Sequence, residues 1–148
     1  MFWNPTNPHN KYKAPRRFRE RFERTVEPGM DEEAIDAVAG WGPCVEYLAG
    51  EINLTKEEMD VVESRYDAEV AYLDHRVGQL VTFLKEHGMF DDTIIVFTSD
   101  HGENFGRYNR LLYHAVAVNE GLLRVPLVVT GVEADGTEDS VSTIDLLN

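Results

Sequence analysis

Asp100 and His101 are the residues of this chain best placed to do chemistry. They follow an apolar, β-branched block, Ile94-Ile95-Val96-Phe97, which reads as a fully buried strand within residues 92–98, opened by the turn-forming pair Asp91-Asp92. In an open α/β sheet, ligands bind outside the carboxyl ends of the strands. A carboxylate beside an imidazole at such an end makes a pair of divalent-metal ligands. The bland alternative is that Asp100 caps a turn and His101 is incidental; position alone leaves both readings open. Gly102 is expected to let the backbone turn sharply behind the pair. Glu103, three residues past Asp100, reads as a solvated loop acid, with a supporting contact to the pair as the alternative.

The other candidates are weaker when taken singly. His9 lies among prolines and His114 after a loop; a lone histidine is more often structural than a ligand. His75 and His87 fall on or at the end of a long helix and read as surface residues. Arg124 is expected to pair with an acid. Cys44 has no base nearby in sequence, so a buried thiol is the better reading than a nucleophile.

These residues need elements to position them. Residues 3–15 contain three prolines and read as a loop. Arg16 to Arg24 carries Phe18 and Phe22 at i, i+4 spacing, a short helix with both rings on the core side. Asp31 caps a helix through Val38, closed by Gly40, and Cys44 to Ala49 adds a helical turn. Thr55-Lys56-Glu57-Glu58 is a capping box. It opens the longest helix, to about His87, with Gly88 as its stop. Met59, Val62, Tyr66, Val70, Leu73, Val77, Leu80 and Leu84 form its buried stripe. A second buried strand is expected over residues 125–129, then a loop over 131–139 and a last cap at Ser142 or Thr143. Helix followed by strand is half of an α/β unit, and the fold expected is α/β, a mainly parallel sheet flanked by helices.

Composition narrows the partners. The 148 residues are 43% hydrophobic, enough for one domain with a core. No apolar run approaches the ~20 residues of a membrane span. The start, Met1-Phe2-Trp3-Asn4-Pro5, has neither the basic region nor the apolar core of a signal peptide. A cytoplasmic location with no membrane partner is therefore expected. Cys44 stands alone, which excludes an internal disulfide. The net charge is −13. Residues 1–27 hold seven Lys/Arg against three Glu, and residues 28–148 hold seven against twenty-four acids. That acidity argues against nucleic acid as a partner. Only four of the fourteen cations are Lys, a balance that suits either a halophile's surface or an ordinary acidic protein.

Taken together, several segments resemble the sulfatase family of the alkaline phosphatase superfamily. Asp92-Thr93-Ile94-Ile95-Val96-Phe97-Thr98-Ser99-Asp100-His101-Gly102-Glu103-Asn104 resembles its second metal-ligand segment. Tyr66 to Gly78 is similar to the helix before that strand. Pro8-His9-Asn10-Lys11-Tyr12-Lys13-Ala14-Pro15 resembles a Pro-His-x-Pro-Tyr-x-x-Pro loop whose His contacts the substrate's sulfate or phosphate group. His114, ahead of Arg124-Val125-Pro126-Leu127, matches an active-site His before a Val-Pro-Leu strand. Val141-Ser142-Thr143-Ile144-Asp145-Leu146-Leu147 is similar to a Val-Ser-x-x-Asp-Leu-x-Pro-Thr segment. The resemblance implies an alkaline-phosphatase-like fold, Asp100 and His101 as metal ligands, and His9 and His114 as catalytic contacts to substrate or transition state. It implies a divalent metal cofactor, Ca²⁺ first; imidazole, a softer ligand than calcium prefers, also admits Mn²⁺ or Zn²⁺.

The chain departs from the family in ways that matter. The family's first acidic metal-binding pair, and its nucleophile in a Cys/Ser-x-Pro-Ser-Arg motif, have no counterpart in this sequence. Residues 107–109 lack the Gly-Glu-His pattern common after Ser-Asp-His-Gly-Glu, and the family's C-terminal part is missing. Residues 1–148 thus read as an incomplete, central sulfatase domain, as a truncated or split gene would give. The expected function is that of a sulfatase segment, supplying one side of the site for metal-dependent sulfate-ester hydrolysis. The alternatives are a phosphodiesterase or phosphomonoesterase of the same superfamily and a catalytically inactive fragment. A separate chain carrying the missing N-terminal segment is the partner expected beside a sulfate or phosphate ester.

Overall fold

The computed structural model describes residues 1–9, 11–38, 40–107, 110–114, 117–133 and 142; the expected loop beyond residue 133 and the cap at Thr143 lie outside them. The scaffold is a 31-residue helix, Lys56–Glu86, and the capping box that starts it is formed as its sequence requires. Thr55 Oγ1 accepts from the Glu58 N–H (3.2 Å), and the Glu58 carboxylate accepts from the Thr55 N–H (2.7 Å). The other Glu58 oxygen accepts from the Asp31 N–H (2.7 Å). One side chain therefore closes this helix end and ties it to the start of the helix at Glu32–Ala37, two helices upstream. Three shorter helices precede the long one: α1 (Arg16–Phe22), α2 (Glu32–Ala37) and α3 (Trp41–Ala49). The long helix is α4, followed by β1 (Ile95–Thr98), α5 (Glu120–Leu123) and β2 (Leu127–Thr130). No helix among the described residues is long and apolar enough to cross a membrane.

The core is helical. Ile35 and Val38 of the α2 segment, Cys44 and Tyr47 of α3, and Met59, Val61 and Val62 of α4 pack together, sealed by Tyr12, Leu112 and Tyr113. Cys44 is buried there, as its surroundings in sequence suggest. The apolar stripe of α4 is buried only in its first half, up to Glu69; Val70, expected in the core, is 41% exposed. Beyond that point α1 is the cover. Phe18 lies 5.4 Å from Tyr72 and 5.6 Å from His75, ring centre to ring centre. Phe22, expected beside it, is exposed instead.

The sheet differs from expectation. The strand pair among the described residues is antiparallel, with Ile95 opposite Thr130 and Thr98 opposite Leu127. A parallel partner requires a crossover that returns the chain to the start of β1. Here the connection stays at the carboxyl end of β1: the Gly102 N–H donates to the Leu122 carbonyl at 2.8 Å, so β2 begins where β1 ends. Neither strand is buried, although both were expected to be. Val96, Phe97, Val128 and Val129 are all exposed. An unbroken apolar run specifies that both faces suit covering; it does not supply the cover.

Glu58 gives a pH-dependent prediction. Hydrogen bonds from the Asp31 and Thr55 backbone N–H groups hold its carboxyl below the usual carboxylate range. A depressed folded-state value makes its contribution complete above the ordinary carboxylate pKa of ~4.3 and lost as pH falls through the folded value. Glu58→Gln should therefore lower stability at neutral pH and shrink the loss on acidification. Urea midpoints at pH 7 and at about pH 3 check this; an unchanged gap between the two proteins would contradict it.

Candidate active site

The strand end carries the acid–imidazole pair outward. Asp100 is freely exposed, and its Oδ1 stands 3.7 Å from His101 Nε2. His101 Nδ1 is 2.8 Å from the Gly102 carbonyl oxygen. A carbonyl can only accept, so Nδ1 donates to it and Nε2 is the nitrogen turned to the Asp100 carboxylate. Gly102 does not have a positive φ. It is needed because a Cβ there would lie 2.0 Å from the Gly121 carbonyl oxygen and 3.3 Å from the Leu122 Cα. The loop that carries Asp100 and His101 is thus seated directly on the backbone of α5.

A second loop brings His114. Residues 104–106 and 111–113 run antiparallel, with a bridge between Phe105 and Leu112. Asn104 is fully buried and locks them: its Nδ2 donates to the Tyr113 carbonyl (2.8 Å), and the Tyr113 N–H donates to its carbonyl (3.0 Å). Asn119 Nδ2 donates to Asn104 Oδ1 at 3.2 Å. Tyr113 has φ 58°, a region that bulky residues avoid. Its ring is buried and its hydroxyl donates to the Val38 carbonyl at 2.6 Å, which holds the strained backbone in place. That twist delivers the next residue, His114, against His101: the two rings stack with centres 3.9 Å apart.

His9 arrives from the N-terminal loop. Its ring stands edge-on to His114 with centres 5.2 Å apart. The loop is anchored by Glu69, a buried carboxylate on α4 that accepts from Asn7 Nδ2 and from the Lys13 N–H. Asp100, His101 and His114 line a cleft of about 260 Å³ whose remaining wall is apolar, from Val118, Leu122, Leu123 and Val125. The structure therefore brings Asp100, His101, His114 and His9 to one place. His75 and His87 lie away from it, and Arg124 pairs with Glu120 at 3.8 Å.

Glu103 is not the solvated acid that its place in the sequence suggests. Its side chain is 6% exposed, with Oε1 3.1 Å from His114 Nδ1. Oε2 accepts from the Tyr12 hydroxyl at 3.4 Å. Burial pushes the Glu103 carboxyl up, and the hydrogen bond and charge of His114 pull it back. Burial also raises the Tyr12 hydroxyl pKa, followed by the charge of Glu103, so Tyr12 remains a donor. Sequence reasoning also missed Glu69 and Asn104. The one available signal was that each is a polar residue in an apolar stretch or next to the Asp-His-Gly-Glu run.

As metal donors, Asp100 and His101 supply one oxygen and one nitrogen side by side, a partial fit to a divalent ion. Among the described residues, no group of three or more His, Cys, Asp or Glu is arranged to hold one.

The candidate site is thus an acid–imidazole pair at a strand end, with the His114 ring stacked on His101 and the His9 ring edge-on to His114. Residues 1–146 match the family described as Sulfatase, and the chain belongs to the sulfatase family. It is 34% identical over 130 residues to the choline-sulfatase of Rhizobium meliloti (strain 1021), a match covering 85% of this chain and 25% of that protein. It is 30% identical over 88 residues to an arylsulfatase of Clostridium perfringens (strain 13 / Type A), covering 60% of this chain and 18% of the relative. A 76-residue stretch is 34% identical to the multifunctional alkaline phosphatase superfamily protein PehA of Trinickia caryophylli, covering 51% and 14%. The fold is similar to that of the phosphonate monoester hydrolase SpPMH from Silicibacter pomeroyi, with a TM-score of 0.58, 24% identity, and coverage of 83% of this chain and 26% of that one. The chain thus spans a quarter or less of the curated relatives it matches.

Proposed function

We propose that this chain is a partial sulfatase domain supplying one wall of a sulfate-ester hydrolase site, with Asp100 and His101 as two ligands of a divalent metal. His9 and His114 contact the ester's sulfuryl oxygens. The observation that carries this reading is the convergence of all four side chains at the carboxyl end of β1. A bound divalent metal would polarise a sulfuryl oxygen and stabilise the charge that builds on it. His9 contributes a hydrogen bond to the same oxygens, and His114 takes a proton from a group bound beside them. Ca²⁺ is the first candidate; Mn²⁺ or Zn²⁺ fit His101 equally. A phosphomonoesterase or phosphodiesterase is the second reading, supported by the likeness to PehA, because a phosphoryl group presents the same oxygens.

The remaining ligands and the nucleophile come from outside residues 1–148, on a preceding segment or a separate chain. In the completed domain, β1 and β2 form the rim of a mainly parallel sheet, a role their exposed apolar faces support. The test is a histidine-detected NMR titration of the chain with Mn²⁺. Resonances of His101, His114 and His9 should broaden before those of His75 and His87, and Asp100→Ala, His101→Ala should remove the difference. Because two ligands leave most of the coordination sphere to water, binding should be weak. Uniform broadening of all five histidines would overturn the metal assignment. Aryl sulfate and aryl phosphate turnover should appear only when the missing segment is added.

A further inference from the structure

We infer that Glu103 is a positioning residue that fixes His114 as its Nδ1–H tautomer, reserving Nε2 for the cleft. The inference rests on the reading of His114 as a substrate contact, and it adds a residue to which neither the family resemblance nor the motif assigns a role. The geometry is closed on three sides. Asn104, next to Glu103, is clamped to Tyr113, next to His114, so the two side chains are held at a fixed separation. Glu103 Oε1 faces His114 Nδ1 at 3.1 Å. The other carboxylate oxygen is occupied by the Tyr12 hydroxyl, so the carboxylate is held from both ends and cannot rotate away from the imidazole.

A carboxylate accepts only, so the proton it receives must sit on Nδ1. The ring then offers its Nε2 lone pair to the cleft that His114 lines with Asp100 and His101. When Nε2 takes a proton from a group in the cleft, Nδ1 keeps its own. The positive charge so formed stays against Glu103, as in other carboxylate–imidazole pairs. The stacked His101 ring has the same polarity, with Nδ1 turned to a backbone carbonyl, and so both imidazoles present Nε2 as the working nitrogen.

The test reads the tautomer directly and needs no turnover. In the ¹⁵N-labelled chain above the histidine titration range, His114 Nδ1 should resonate as a protonated, pyrrole-type nitrogen and Nε2 as an unprotonated, pyridine-type one. Glu103→Ala should shift His114 toward the Nε2–H form, while His75 and His87 keep their wild-type shifts. Glu103→Gln, whose amide oxygen can still accept from Nδ1, should retain the wild-type form. A wild-type His114 in the Nε2–H form overturns the inference, and so does a folded Glu103→Ala chain that keeps Nδ1–H. Should Glu103→Ala fail to fold, the wild-type tautomer alone decides. A chain that shows the expected tautomer but no selective Mn²⁺ broadening at the site would sink the metal-site reading and leave this one standing; the reverse pattern would do the opposite.

Discussion

Gly102→Ala should lower the stability of the chain by roughly 3 kcal/mol, the upper end of ordinary overpacking. The added methyl would meet the Gly121 carbonyl oxygen at 2.0 Å, with the Leu122 Cα close behind. Both obstacles are backbone, so neither can swing aside as a side chain would. Relief requires the loop from Ser99 to Asn104 to lift off α5, breaking the 2.8 Å hydrogen bond from the Gly102 N–H to the Leu122 carbonyl. Asp100, His101 and Glu103 all ride on that loop, so selective Mn²⁺ broadening of His101 and the His114 tautomer should both be lost. Gly78→Ala is the control. It lies inside α4, where an added Cβ meets nothing within 4 Å, so it should stabilise by about 0.5–1 kcal/mol. Urea denaturation of the three proteins gives the comparison. Equal midpoints for wild type and Gly102→Ala would mean that the loop is not seated on α5.

Expressed by itself, the chain should self-associate, and two lysines on the sheet should prevent it. The β1–β2 pair shows apolar side chains on both faces: Val96 (51% exposed) opposite Val129 (42%) on one, Phe97 (36%) opposite Val128 (56%) on the other. Each strand has an edge with no strand partner among the described residues. A two-stranded sheet is marginal in water, and an apolar edge is a template for pairing with another chain. Wild type should sediment as oligomers or precipitate at micromolar concentration. Val96→Lys with Val128→Lys puts one charge on each face and should return the chain to a monomer. The helical core is remote from these positions, so helix content by circular dichroism should not change. A wild-type chain that is monomeric and melts cooperatively at low salt would contradict this account.

The parts legible in the sequence are those set by short-range chemistry. Thr55 and Glu58 lie three residues apart, and their reciprocal hydrogen bonds need only a first helical turn, so the start of α4 was readable. The apolar run before Asp100 marked a strand, and its end marked where Asp100 and His101 would stand. Cys44 could be assigned to the core because nothing around it could activate it. Glu103 could not be placed this way. Its burial depends on Tyr12, 91 residues earlier, and on His114, 11 residues later. Nor did local pattern reveal Glu69 as the anchor of the loop that carries His9, because a lone acid on an amphipathic helix normally faces water.

Sequence by itself determined which side chains could bind a metal or an ester and that a helix and a strand would carry them. Periodicity and capping act within a few residues, and the family's motifs are contiguous. Tertiary structure alone decided three things: that β2 returns antiparallel, that the strands stand uncovered, and that His114 has a buried carboxylate behind it. Each depends on where a distant segment lies. The antiparallel return follows from a loop locked to α5 by Gly102 and Leu122, and the dyad follows from Asn104 clamping Tyr113. Those contacts join residues whose spacing in the chain obeys no period, so only the folded chain could bring them together.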